Sequence, residues 1–334
     1  MYEHLPKGPL RQAVGAVLAL MLCGASALAA GTGRSLVPVG HTVGVKLFSR
    51  GVVVVRTPES GTPARACGLK TGDVIEACDG EAVTSTEQFQ SLLQEKGTET
   101  LELSVSRSGS PLKLSVEPER NEAGVCCIGA WIRDSMAGIG TMTYYDPESG
   151  AFGALGHGIT DGDTAALLPF GSGAVLSSTV KAVKKGEGGS PGELRGEFDL
   201  TADLGALYAN TSCGIFGKIG PACPLIQGQA LPVGTPQAGK AAILANVAGD
   251  EVREYSMEIL RCDLQAADGR ELVLSVTDPA LTAATGGIVQ GMSGSPILQN
   301  GQIVGAVTHV LLSDPTKGYG ISMETMLKAG EPEG

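Results

Sequence analysis

Glycine is the feature of this 334-residue sequence that most limits its fold, because 49 residues are glycine, roughly twice the usual share. Glycine weakens helices and supplies tight turns, so this content favours many short strands over helical bundles. The glycines follow no period of three, which excludes a collagen-like chain. Hydrophobic residues make up 43% of the sequence, which argues against wholesale disorder. At this length two domains are expected.

The charge balance excludes one class of partner. The sequence has 24 basic and 35 acidic residues and a net charge of −11. Such a chain has no general surface that neutralises phosphates, so no nucleic acid is expected as a partner. The eight cysteines form no CxxC pair and there are four histidines, too few to complete a zinc site. We therefore predict no metal and no cofactor.

The N-terminal 30 residues predict a location. Lys7 and Arg11 precede an uncharged stretch from Ala13 to Ala30. A basic flank before an apolar run of this length is typical of a signal peptide or a single membrane anchor. Residues 1–30 therefore predict an extracytoplasmic protein that is secreted or held at the membrane by this segment.

Residues 37–118 resemble a PDZ domain. Alternating strands near Val43 and Leu103 enclose the segment GDVI at 72–75 and a helix that Thr84 and Glu87 would open as a capping box. In such domains, the N–H groups of one loop hold the terminal carboxylate of a peptide, which adds to the next strand. The sequence predicts that loop at Val43, Gly44 and Val45, although the domain could also be a packing partner without a ligand.

The region from 125 to 334 contains short apolar runs separated by turn residues and no long amphipathic helix before its end. This pattern is typical of a β-barrel or a β-sandwich. The predicted fold class is mainly β.

A glycine-flanked histidine is the first candidate catalytic residue. His157 lies in FGALGHGITDGD, between Gly156 and Gly158. A histidine in that setting is on an approachable turn, and it can act as a general base. His309 is the other histidine of this region and an alternative base.

The second candidate is Ser293, in the segment GGIVQGMSGSPI at 286–297. Its G-x-S-G-x-P pattern is found around the nucleophile of chymotrypsin-like serine peptidases. A serine hydroxyl needs a base and backbone donors for the oxyanion, and we expect the N–H groups of Gly291 and Ser293 to supply those donors. The strand containing Val307, Thr308 and His309 would align the substrate backbone.

Four longer segments resemble the stage IV sporulation protein B (SpoIVB) serine peptidases: TMTYYDPESGAFGALGHGITD, SPGELRG, NTSCGIFGKI and GGIVQGMSGSPILQNGQIVGAVTHVLLSDPTKGYGI. The order of leader, PDZ domain and peptidase domain is similar too. The resemblance implies a PDZ domain followed by a chymotrypsin-like double β-barrel at 125–334. It also implies a sporulation-specific endopeptidase that processes itself and cleaves a membrane-associated partner, between the mother-cell and forespore membranes. This cleavage would trigger activation of a late mother-cell sigma factor.

The resemblance further implies that Asp278 is the triad aspartate that orients His157. Asp278 precedes Ser293 by a short interval and stands before Pro279, so a turn residue is the competing interpretation. Asp161 and Asp163 are rivals for the role. Two other functions stay open: a non-catalytic PDZ scaffold with a peptidase-like domain, and a quality-control protease similar to the HtrA family.

Overall fold

The computed structural model describes residues 33–58, 61–266 and 269–331, so the predicted leader at 1–30 lies outside the described residues. The strands are, in chain order, β1 (Ser35–Pro38), β2 (Thr42–Arg56), β3 (Val74–Cys78), β4 (Glu81–Ala82), β5 (Leu101–Arg107), β6 (Ser110–Val116), β7 (Glu119–Arg120), β8 (Cys126–Cys127), β9 (Trp131–Tyr145), β10 (Ala151–Ala154), β11 (Phe170–Lys184), β12 (Glu193–Thr211), β13 (Gly214–Ile219), β14 (Leu231–Pro232), β15 (Gly239–Ala248), β16 (Glu251–Cys262), β17 (Leu272–Val276), β18 (Pro296–Gln299), β19 (Gln302–Val310) and β20 (Lys317–Ser322). The helices are α1 (Pro63–Ala66), α2 (Thr86–Lys96), α3 (Pro279–Thr285) and α4 (Met323–Ala329).

Six strands form the first barrel, in the order β2, β9, β10, β13, β12 and β11. The ring closes because β2 pairs with both β9 and β11. Its interior holds apolar side chains that face inward from every strand, among them Leu47, Phe152, Val175 and Ile215.

The second barrel is closed by β15, β16, β17, β20, β19 and β18. The alternation along β16 shows why this segment forms a strand: Tyr255, Met257 and Ile259 are buried, while Ser256 and Glu258 between them are exposed. Two antiparallel six-stranded barrels, with a PDZ domain, confirm the predicted fold class, which is mainly β with a double β-barrel of the chymotrypsin type.

The PDZ domain is inserted within the first barrel. Strand β2 runs from the barrel into the PDZ domain, since its first half pairs with β9 and β11 and its second half pairs with β3 and again with β9. Phe48 and Ser135 are register partners at the point where the chain leaves the barrel and returns to it. Residues before Phe48 therefore belong to the first barrel, and the domain boundary predicted at residue 37 is wrong.

The predicted PDZ peptide-binding loop at Val43, Gly44 and Val45 is also wrong. These residues lie inside β2, where Val43 pairs with Gly140 on one side and with Ser177 on the other. Both neighbouring strands use the backbone groups of this segment, and all three residues are buried. A Cβ on Gly44 would lie 2.6 Å from Cδ1 of Phe198, so the glycine is required by packing against an aromatic ring.

The body of the PDZ domain follows the sequence prediction closely. Helix α2 buries Phe89, Leu92 and Leu93 and ends at Gly97. Its N-cap is Ser85, whose hydroxyl accepts from the N–H of Gln88 at 3.1 Å, so the predicted capping box at Thr84 is displaced by one residue.

Candidate active site

The cleft between the two barrels brings together two of the three predicted catalytic residues, His157 and Ser293. It has a volume of about 630 Å³ and is lined by His157, Gly291, Ser293, Thr308 and His309 among others. Val307, also predicted for the substrate strand, is fully buried in the core of the second barrel instead. The cleft thus joins a histidine of the first barrel to a serine of the second.

The serine loop, residues 291–294, is held by Thr141 of the first barrel. The N–H of Thr141, in β9, donates to the carbonyl of Ser293 at 2.9 Å. The Thr141 hydroxyl donates to the carbonyl of Gly291 at 2.7 Å. Gly291 and Gly294 have φ values of +98° and +96°, a conformation that L side chains rarely adopt. These constraints fix the loop in which the N–H groups of Gly291 and Ser293 are predicted to bind the oxyanion.

The hydroxyl of Ser293 is engaged in this state of the protein. It donates to the carbonyl oxygen of Thr308 at 2.7 Å. A hydroxyl has one proton, so it cannot donate to His157 at the same time. Catalysis therefore requires that the Ser293 hydroxyl turn its proton from the Thr308 carbonyl to the imidazole, and catalytic hydrogen bonds commonly form only when substrate is bound.

The half-buried imidazole of His157 follows β10 and lies between Gly156 and Gly158. Its Nδ1 is 2.9 Å from the carbonyl oxygen of Gly158. Because a carbonyl can only accept, we assign the proton of the neutral ring to Nδ1, which leaves the lone pair of Nε2 for a base. Burial lowers the pKa of His157 below its ordinary value, so the ring is neutral at neutral pH.

His309 stacks beside this base. The ring centroids of His157 and His309 are 5.0 Å apart, with an angle of 35° between the planes. His309 is exposed at the cleft wall, whereas His157 follows the third strand of the first barrel and lies between two glycines. This arrangement favours His157 as the base and His309 as part of the substrate-binding wall.

The structure does not bring Asp278 to His157, which corrects the sequence prediction. Asp278 is the N-cap of α3, and its Oδ1 accepts from the N–H groups of Ala280 and Leu281 at 2.9 and 3.2 Å. Its Oδ2 accepts from the N–H of Ser256 at 3.1 Å. These bonds lower the pKa of Asp278, that to Ser256 most strongly. The carboxylate before Pro279 acts as a helix cap.

The rival carboxylates are paired elsewhere as well. Asp161 is buried and forms an ion pair with Arg133, whose guanidinium also bonds Asp163 at 3.0 Å. The Nδ1 of His157 is occupied by a carbonyl rather than by either aspartate. Arg133 lies in β9 at the end of the PDZ insertion, so this ion pair joins that strand to the loop after His157.

Sequence reasoning missed Thr141 and Asn210. Thr141 lies in a strand whose sequence shows only ordinary alternation, and nothing in it indicates a contact with the serine loop. Asn210 is buried near the end of β12 and bonds to the His157 loop. The only signal in the sequence is that Asn210 follows the short apolar run of residues 205–209, which is a weak indication of such a role.

Comparison with known proteins identifies the family. Residues 124–327, well over half of the chain, match the SpoIVB peptidase S55 family. The chain belongs to that family. Residues 54–107 match a PDZ domain, which agrees with an insertion that begins after Phe48. Together with the Ser293–His157 cleft, the match identifies a serine peptidase of the SpoIVB family with a PDZ domain.

Other similarities are shorter or more distant. Serine protease HTRA1 of Xenopus tropicalis is 38% identical over 61 residues, which are 18% of this chain and 13% of that protein. The chain spans less than a quarter of the length of the curated relatives that it matches. The active form of the Rv3671c protease of M. tuberculosis has a TM-score of 0.33 and 14% identity, covering 60% of this chain and 78% of that chain. The PDZ domain of an SdrC-like protein of Listeria innocua has a TM-score of 0.23 and 25% identity, covering 25% of this chain and 93% of that chain.

Within the described residues, no group of three or more histidine, cysteine, aspartate or glutamate side chains could hold a metal ion. The seven cysteines of the described segments are free thiols, including Cys213 and Cys223.

Proposed function

We propose that this SpoIVB-family peptidase is a sporulation-specific endopeptidase that cuts itself and a membrane-associated partner. Cleavage of the partner would trigger activation of a late mother-cell sigma factor. The observation that carries the proposal is the shared cleft of Ser293 and His157 in a chain that matches this family over residues 124–327. The intact pair favours this function over a non-catalytic PDZ scaffold, because a decayed site would usually have lost one of the two residues.

The proposed location is the space between the mother-cell and forespore membranes. The basic flank and apolar run of residues 1–30 support it, since they are typical of a signal peptide or an anchor. In the part of the chain that the structure describes, no helix is long and apolar enough to span a membrane.

The cleft supports an extended substrate with apolar side chains. The second barrel contributes Ile288, Val289, Val310 and Leu312 to its lining, and an acidic side chain enters from Glu193. The Ser293 hydroxyl donates to the Thr308 carbonyl oxygen, and a backbone N–H of the bound substrate could replace it as the donor. Substrate binding to β19 would then release Ser293 toward His157.

The PDZ domain is proposed to select protein substrates through the edge of β9. Trp131 begins this strand and is 65% exposed, although tryptophan usually buries most of its surface. Residues near Trp131 pair with the end of β2 on one side and lie beside helix α2, so an extended chain could add along this edge. Farther along, the same strand pairs Arg133 with the His157 loop and holds the serine loop through Thr141. Occupation of the edge can therefore affect the catalytic residues directly.

The test of the peptidase activity is mass spectrometry of the purified full chain beside Ser293→Ala and His157→Ala. We expect self-cleavage between the leader and the start of β1 at Ser35 in the unsubstituted protein and none in either variant. The two substitutions should be equally damaging, because the groups act as a unit. Cleavage by Ser293→Ala at the normal site and rate would refute the assignment of the nucleophile.

Substrate selection by the PDZ edge is tested separately with Trp131→Glu. We expect this variant to hydrolyse a short unstructured peptide at the normal rate but to process itself more slowly, since a charge on the edge would oppose strand addition. Leu260→Glu is the matched control, because Leu260 is 44% exposed on the second barrel. Equal self-processing by the two variants would remove the PDZ edge from substrate selection.

A further inference from the structure

The side chain of the substrate residue before the scissile bond enters a defined part of the cleft. Its carbonyl carbon must lie at the Ser293 hydroxyl, with the oxygen toward the N–H groups of the serine loop. Its backbone runs beside β19 at Thr308, whose carbonyl accepts from the Ser293 hydroxyl at 2.7 Å. The side chain is therefore directed into the space between β19 and the segment 288–290, both of which line the cleft. In serine peptidases this space is the pocket that sets specificity.

Ile288 fills the floor of this specificity pocket. The residue is 2% exposed, and its Cδ1 lies 2.7 Å from the place where a Cβ on Gly318 would be. Glycine at this position therefore opens no deep slot, because the isoleucine occupies the space that the missing side chain leaves. Deeper in the barrel, the Cδ1 atoms of Leu274 and Ile297 lie 3.1 and 3.2 Å from the Cβ position of Gly320. The space below the floor is thus packed barrel core.

Val310 narrows the mouth of the specificity pocket. It is half-buried, lines the cleft and is the register partner of Gly318 across β19 and β20. Directly opposite residues of an antiparallel pair point to the same face of the sheet, and the Cβ direction of Gly318 leads to Ile288. Val310 and Ile288 therefore border the pocket on the same face, with the valine outermost. A β-branched side chain is stiff, so it does not turn aside for a large substrate residue.

The lining of the cleft does not favour a basic substrate residue at this place. Among the described residues that line it, Glu193 has the one carboxylate. Glu193 forms an ion pair with Arg195 at 3.3 Å, and its side chain is 44% exposed, so it lies at the rim. A pocket that selects lysine or arginine has its acidic side chain at the floor, where this chain has Ile288. The pocket is therefore apolar and shallow.

We propose that Ile288 and Val310 restrict this peptidase to cleavage after small residues, namely alanine, glycine, serine and threonine. The inference rests on the proposed endopeptidase function and names its class of substrate. The chain's own sequence fits this class, since residues 29–33 read AAGTG and adjoin the expected region of self-cleavage before β1. Arg34 follows them and would be the cleavage site of a peptidase that selects basic residues.

The first experiment maps the self-cleavage site of the full chain by mass spectrometry. We expect the cut to follow one of the residues 30–33. The same preparation of Ser293→Ala is the control, because any cut that it shares with the unsubstituted protein was made by another peptidase. Self-cleavage after Arg34 would overturn the proposal and would assign the selection of a basic residue to Glu193.

The second experiment compares kcat/KM for short peptides that differ only in the residue before the scissile bond. The unsubstituted protein should prefer alanine over leucine by at least about 10-fold, and a preference for leucine, phenylalanine or arginine would refute the proposal.

Two variants test which residues close the pocket. Val310→Ala and Ile288→Ala should each raise kcat/KM for the leucine peptide relative to the alanine peptide by about 10-fold. Val310 is half-buried, so its substitution costs less stability and decides the matter if Ile288→Ala does not fold. Val252→Ala is the matched control, because Val252 is a half-buried valine near the end of β16 and does not line the cleft. If Val310→Ala keeps the same ratio as Val252→Ala, Val310 does not limit the pocket and the proposal fails.

The third experiment needs no activity. Calorimetric titration of full-length Ser293→Ala gives the Kd of product peptides that end in alanine or in phenylalanine. The alanine peptide should bind at least about 10-fold more tightly, and adding Val310→Ala should reduce that difference. Equal binding of the two peptides to Ser293→Ala would overturn the proposal even if the unsubstituted protein is active. If the unsubstituted protein cleaves no peptide, the proposed endopeptidase function fails, while the order of the two Kd values still decides what the pocket accepts.

Discussion

Replacement of Gly294 by alanine should displace the serine loop from the Thr141 backbone that holds it. The new Cβ would lie 2.0 Å from the carbonyl oxygen of Thr141 and 2.5 Å from the N–H nitrogen of Leu155, both of them backbone atoms that cannot turn aside. The φ of +96° alone costs about 1–2 kcal/mol for a residue with a side chain. Displacing Thr141 would break two backbone hydrogen bonds, one from its N–H to the Ser293 carbonyl and one to its carbonyl from the N–H of Leu155. Each loss costs about 1–3 kcal/mol if the groups stay buried. The expected loss of unfolding free energy is therefore about 3–8 kcal/mol.

Gly301→Ala is the control, because Gly301 has a φ of +74° and no atom within 4 Å of its Cβ position. It should lose only the conformational cost of about 1–2 kcal/mol. Urea unfolding followed by far-UV circular dichroism measures both variants, since the single tryptophan reports on the PDZ edge instead. If the free energies of unfolding of Gly294→Ala and Gly301→Ala differ by less than about 1 kcal/mol, the serine loop does not pack against Thr141 as described.

Two other predictions concern the serine and the histidine. Ser295→Ala should keep full peptidase activity and gain up to about 1 kcal/mol of unfolding free energy, because the buried Ser295 hydroxyl has no hydrogen-bond partner in the described residues. Loss of peptide cleavage in this variant would make Ser295 the nucleophile. The acid limb of kcat/KM should have its midpoint below the ordinary histidine pKa of about 6.5, because burial lowers the pKa of His157 and the neutral ring is the base. Because the pKa of His157 is lower in the folded than in the unfolded protein, the free energy of unfolding should fall as the pH drops below the unfolded pKa. An acid-limb midpoint above about 6.5, together with a free energy of unfolding that rises in acid, would contradict the buried, neutral base.

Much of the active site could be predicted because its parts are encoded in short segments. A serine between glycines and a histidine between glycines specify sharp turns, whatever the rest of the chain does. Helix α2 was predicted with an error of one residue at its cap, because Ser85 and Thr84 are both good caps and only the surrounding structure selects between them. Gly158 illustrates the limit: sequence shows that it is glycine, while the reason, contact with the Thr211 carbonyl, comes from a strand far along the chain.

Hydrophobic alternation and turn residues were enough to predict the mainly β class, and short motifs indicated the PDZ domain and the candidate pair of Ser293 and His157. Alternation shows that a strand has a buried face, but it does not identify the neighbouring strands. Only the tertiary structure could therefore assign Val43 and its neighbours to the first barrel and place the PDZ domain inside that barrel. An aspartate before proline can cap a helix or orient a histidine, and the choice for Asp278 depends on which backbone N–H groups lie within hydrogen-bonding distance of its oxygens. Thr141 contacts the serine loop of the second barrel, and Asn210 contacts the loop after His157 in its own barrel, so each contact joins segments that are far apart in the sequence and meet only in the folded protein.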